Sequence, residues 1–181
     1  MYCLFNHADA RRIVSRNVGS AAGSAGHYGR VLGVSCSSSA AYFAAVVDGA
    51  FTDLEPRRIE PPEVLARGDK LVDFRDRMRR EISRMGPELV VIATSSYQAD
   101  YGQIAARATL EALIRLAAAE ERVPSEFIHQ KTIRAKLGLA RTGGSGTAAQ
   151  RHLRDQVDPI PMYWSEGRAA AAAAAIARCR S

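Results

Sequence analysis

Thiols are scarce in this chain. Cys3, Cys36 and Cys179 are the only three, too few and too scattered for a disulfide framework or a zinc site. Free thiols are what a reducing compartment leaves, so a cytoplasmic location is expected. Histidine is nearly as sparse: His7, His27, His129 and His152 show no ligand spacing. No uncharged apolar run of about 18 residues occurs, which excludes a membrane-spanning helix. The apolar tract Ala169 to Ala177 is nearly all alanine and reads as a closely packed helix. The first residues lack the hydrophobic stretch of a secretory signal. A nucleotide-binding phosphate loop is missing too. Gly143-Gly144-Ser145-Gly146 follows no strand and precedes no Gly-Lys-Ser/Thr. The serines Ser37-Ser38-Ser39 have no obvious base partner for nucleophilic catalysis.

What is present suits one domain. The chain has 181 residues, 47% of them apolar, enough for a real core. Lys and Arg number 25 against 19 Asp and Glu, a net charge of +6. That balance permits a polyanionic partner without requiring one. Residues 1–29 include a Gly/Ser/Ala-rich stretch from Gly19 and read as an N-terminal arm or flexible segment. Residues 30–181 read as the folded domain.

That domain is organised around Pro87 to Glu121. Glu88-Leu89-Val90-Val91-Ile92-Ala93 is a short apolar run rich in β-branched residues that must be covered on both faces. A polar loop, Thr94 to Gly102, follows it, then a helix over Gln103–Glu121. Upstream, Arg30 to Ser35 and Ala41 to Val47 read as two strands. The Asp48-Gly49 turn leads to a third, running from Phe51 toward Ile59, in an antiparallel meander. Asp69 to Met85 is amphipathic, with Leu71, Phe74, Met78, Ile82 and Met85 on one stripe and Asp and Arg pairing on the other. Glu126 to His129 reads as a strand parallel to the central one. Short helices over Lys131–Leu139 and Thr147–Val157 follow, and a last helix over Glu166–Arg180.

This order resembles the ribonuclease H-like fold, and within it the RuvC-type Holliday-junction resolvase branch. Four pieces carry the resemblance: Val31 to Ser35 with Ala40 to Asp48; Pro87 to Ile92 with the following helix; Ser125 to Gly138; and Arg168 to Ala177. The resemblance implies an α/β mixed sheet, an antiparallel three-strand meander plus parallel strands, flanked by helices. It implies a homodimer, and it implies a nuclease that cuts phosphodiesters with two divalent metals held by carboxylates. In the family one acid ends the first strand, one ends the central strand, and one or two begin the last helix. Here those places hold Ser35, then Thr94 (or Ala93 in a shifted register), then Glu166 beside Gly167 and Arg168. A hydroxyl is a weak neutral ligand, so the catalytic acids are mostly substituted and no metal or other cofactor is expected. Asp100, in the loop beyond the central strand, is the available substitute acid.

The strongest positive feature is basic. Lys131, Arg134, Lys136, Arg141, Arg151 and Arg154 fall in one segment with no acid between His129 and Arg154. Such a run can track phosphates, and Tyr97 and Tyr101 are placed to stack on bases. The leading expectation is a non-catalytic ribonuclease H-like module that binds DNA or RNA, or a protein partner. The alternatives are a magnesium-dependent junction resolvase using Asp100 and Glu166, and a structural homodimer.

Overall fold

A computed structural model describes residues 28–53, 55–62, 67–94, 100–139, 151–154, 156–157 and 159–179. Its sheet strands are β1 (Arg30–Cys36), β2 (Ala41–Val47), β3 (Ala50–Thr52), β4 (Arg58–Ile59), β5 (Leu89–Thr94) and β6 (Ser125–His129). Its helices are α1 (Arg67–Met85), α2 (Tyr101–Glu120), α3 (Gln130–Lys136) and α4 (Ala169–Cys179). A π-helical turn, Trp164–Arg168, leads into α4.

The strands run β3-β2-β1-β5-β6, with β4 pairing the far end of β2. β1, β2 and β3 are antiparallel neighbours, whereas β5 is parallel to β1 and β6 parallel to β5. This is the mixed sheet of a ribonuclease H-like fold. The long helix α2 joins β5 to β6, because parallel neighbours require a crossover connection.

Period-two alternation divides the sheet into two faces. Val31, Ala44, Val46, Leu89, Val91 and Ala93 point to one face and meet α4. Leu32, Val34, Phe43, Val90 and Ile92 point to the other and meet α1 and α2. The α1 stripe is seated as its spacing requires: Phe74, Met78 and Ile82 are fully buried. Its opposite face holds the pairs Arg77–Asp73 and Arg84–Glu81 along the helix. On α2 the buried face carries Leu110, Ile114, Ala117 and Ala118, and Glu111 with them. Ile104, part of the expected stripe, is 41% exposed.

Three expected elements differ in detail. The third strand is broken into β3 and β4, because Pro56 offers no N–H to a ladder and Asp53 turns away to bind arginines. The last helix does not run unbroken from Glu166; α-helical geometry starts at Ala169, after a kink at Gly167. Within the helix expected over Thr147–Val157, residues 151–154 are helical, Gln156 and Val157 are not, and the others lie outside the described residues. Residues 1–27 of the expected arm lie outside the described residues. Its last two residues are docked on the sheet: the Gly29 amide donates to Glu88 Oε2 at 3.0 Å, and the Arg178 guanidinium lies 5.9 Å from the Tyr28 ring centroid. No helix among the described residues is long and apolar enough to cross a membrane.

Candidate functional site

The carboxyl ends of β1 and β5 lie side by side, where α/β sheets place their chemistry. The parallel register sets Ser35 against Ala93. Both face α4. Thr94 therefore points to the opposite face, where its hydroxyl donates to the Ile128 carbonyl at 3.4 Å. The residue that stands beside Ser35 is a methyl group, and the hydroxyl at Thr94 is not part of this corner.

The rest of the corner comes from β2, β4 and the π-helical turn. A tight connection, Ser37 to Ala40, is held by the Ser37 hydroxyl, which accepts from the Ala40 amide at 3.0 Å. That turn fixes the hairpin register and puts Tyr42 directly across from Ser35. Tyr42 is 5% exposed, and its ring stands against the backbone of Gly167. A Cβ at Gly167 would fall 2.5 Å from the Tyr42 ring, so only glycine lets the phenol stand there. The Tyr42 hydroxyl donates to Glu166 Oε2 at 3.4 Å. Burial raises the phenol's pKa above the usual tyrosine value, with Arg58 and Ser37 pulling the other way, so at neutral pH it remains a neutral donor.

Cations close the corner. Arg58, paired with Tyr42 across β2 and β4, lies 5.6 Å from the Tyr42 ring centroid and 5.3 Å from that of Tyr163. Its guanidinium also comes 3.8 Å from the Glu166 carboxylate and pairs with Glu60. Arg168 has no exposed surface. Its Nε donates to the Phe43 carbonyl at 2.9 Å, its Nη2 binds Asp53, and it lies 5.4 Å from the Phe51 ring centroid. Asp53 is pushed up by partial burial, but its bonds to Arg168 and Arg57 outweigh that and hold it below the ordinary carboxylate value.

This donor set does not fit a pair of magnesium ions. Mg²⁺ wants several hard anionic oxygens in octahedral array. Among the described residues the carboxylates here are Glu166, in contact with a guanidinium and a phenol, and Glu60 and Asp53, each paired with an arginine. A methyl group, a serine hydroxyl and the buried Arg168 complete the corner. Among the described residues no three His, Cys, Asp or Glu side chains gather as a metal site. Asp100 is engaged elsewhere: it caps α2, on the opposite face of the sheet, accepting from the Gln103 amide at 2.9 Å.

The basic segment is split. Lys131, Arg134 and Lys136 lie on α3, which follows β6 at one sheet edge and is capped by His129. Arg151 and Arg154 instead line a cavity of about 550 Å³ with Tyr163, Trp164, Ser165 and Glu166. Trp164 packs edge-on to Phe51 of β3, so this cavity belongs to the other edge. Five strands set the two edges roughly 19 Å apart. Arg141 and Tyr97 fall outside the described residues. Tyr101 is 86% exposed at the start of α2.

Tyr42, Arg58, Tyr163 and Arg168 were not singled out from sequence as site residues. Tyr42 was legible in principle, because the short turn after Cys36 dictates its register with Ser35. Tyr163 and Arg168 were not, because their partners are 105 or more residues away: Arg58 for the one, Phe43 and Asp53 for the other.

No family model and no curated protein matches this chain. Solved structures do. A Thermus thermophilus RuvC in complex with a Holliday junction substrate superposes with a TM-score of 0.62 at 15% identity. The match covers 82% of this chain and 90% of that one. Another Thermus thermophilus RuvC structure gives 0.64 at 13% identity, over 82% and 92%. The yeast mitochondrial Holliday junction resolvase Ydc2 gives 0.57 at 13%, over 83% and 77%. At such identities the likeness is one of fold.

Proposed function

We propose that this chain is a ribonuclease H-like module that binds nucleic acid without cleaving it by the two-metal route. The observation that carries the reading is the Tyr42 ring seated against Gly167. It fills the corner beside Ser35 and Ala93 that the fold would use for cations. Arg58 pairs with Glu60 and lies beside Glu166, and the buried Arg168 pairs with Asp53, so the cations of the corner already occupy its carboxylates. A corner whose few carboxylates are already paired with guanidinium groups is a poor cage for Mg²⁺. The fold it shares with a RuvC that holds a Holliday junction supports nucleic acid as the partner class.

Two measurements on the purified full chain test this. Four-way junctions and single strands incubated with Mg²⁺ or Mn²⁺ should stay intact, and the same substrates should shift in a gel at low salt. Metal-dependent cleavage abolished by Glu166→Ala or Asp100→Ala would replace the reading with that of an active nuclease. No shift at any salt concentration would remove nucleic acid as the partner.

A further inference from the structure

A second cavity, about 730 Å³, lies next to the corner and is walled by Arg57, Arg58, Arg77, Arg80 and Tyr163. Tyr163 also walls the Arg151–Arg154 cavity. One aromatic side chain therefore stands between two arginine-lined hollows. The segment that presents it, Pro159 to Tyr163, exposes further apolar surface: Ile160 is 50% and Met162 56% exposed. Arg57 reaches that segment, with Nη1 3.2 Å from the Met162 sulfur. Tyr163 itself is held at φ 58°, in the left-handed region, an unfavourable conformation for a bulky side chain.

Resting on the reading above, we infer that a single strand of nucleic acid crosses Tyr163, with a base on its ring and phosphates in the flanking arginine hollows. Alternation of cations with a stacking platform is what single-strand recognition needs. A duplex turns its bases inward and leaves such a ring without a partner. Charge in the two hollows is not uniform. Glu55, Glu60 and Glu81 line the first and Glu166 the second. Arg57 and Arg58 are already paired with acids and would exchange a carboxylate for a phosphate. Arg80, Arg151 and Arg154 form no ion pair among the described residues and are the cations ready for the strand. The ring that Arg58 now covers becomes available when Arg58 turns to a phosphate.

The test is a fluorescence-anisotropy titration of the full chain with a labelled oligothymidylate and with a duplex of equal length. Tighter binding of the single strand at equal salt is expected. Tyr163→Asn removes the ring at a backbone conformation asparagine tolerates. It should weaken single-strand binding about 5- to 150-fold and leave duplex binding unchanged, while Tyr163→Phe keeps the affinity. Arg80→Ala and Arg154→Ala should each lower the salt slope by about 0.7. Ultraviolet cross-linking of a bromouracil strand, read by peptide mass, should mark Tyr163 even if the asparagine variant folds poorly. Equal affinity for both forms, with Tyr163→Asn silent and no mark on Tyr163, would overturn the inference and leave the general reading standing. No binding of any oligonucleotide, or binding of polyglutamate alone, would overturn both.

Discussion

Arg168 has an unusual environment for an arginine. It is wholly buried, yet it fastens the start of α4 to the Phe43 carbonyl and to Asp53. Burying a guanidinium costs several kcal/mol, recovered only when hydrogen bonds and an opposite charge meet it. Removing the counter-charge should therefore hurt more than its exposure implies. Asp53→Asn is expected to cost about 1–2 kcal/mol at pH 7, after allowance for the 41% exposure of the carboxylate. The pH dependence has a definite sign. A carboxylate with a lowered folded pKa contributes stability above its unfolded value of 3.8, and loses it as pH falls through the folded value. Urea midpoints of the chain and of Asp53→Asn should differ at pH 7 and converge in strong acid. In the sequence, Arg168 shows only as a cation beside Glu166. Its binding to Asp53 was not legible, because a third strand unbroken toward Ile59 left no reason for Asp53 to turn inward.

At the scale of the element, α4 is the informative case. Its alanines from Ala171 to Ala175 and Ala177 are almost completely buried, and the small side chains bring the helix backbone down onto β1. A Cβ at Gly33 would fall 2.0 Å from the Ala171 carbonyl oxygen. Gly33→Ala must push two backbones apart, and a loss of about 3 kcal/mol or more is expected in chemical denaturation. The alanine run made this close packing readable from sequence, as did the apolar stripe of α1. The π-helical turn before α4 was not readable. It depends on Trp164 meeting Phe51 and Gly167 meeting Tyr42, contacts that helical periodicity does not report. The candidate site suffered the same way. Its strand ends were located, and its aromatic and cationic filling came from residues far apart in the chain.

Across the whole molecule, one sheet separates two apolar layers, and a thiol reports on each. Cys36 packs against the α1–α2 layer and Cys179 against the α4 layer. Burial raises both thiols above the usual range, with the Glu111 charge adding to it at Cys36. Both should resist alkylation in the native chain at pH 8, since only the thiolate reacts. If the layers unfold together, the two become reactive at the same urea concentration, read by mass spectrometry of each peptide. Separate midpoints would mean that the sheet's two coverings are independent units. The fold class was legible at this scale because tight turns imply antiparallel neighbours, a helical crossover implies a parallel one, and that order of elements resembles a known fold.

The phenol at position 42 and the glycine at position 167 share one space. A side chain placed at 167 collides with the ring, and a ring removed by itself leaves a hole with nothing to fill it. Each change alone costs stability, and the two together should cost less than the sum of their separate effects, since the space that one needs is the space that the other vacates.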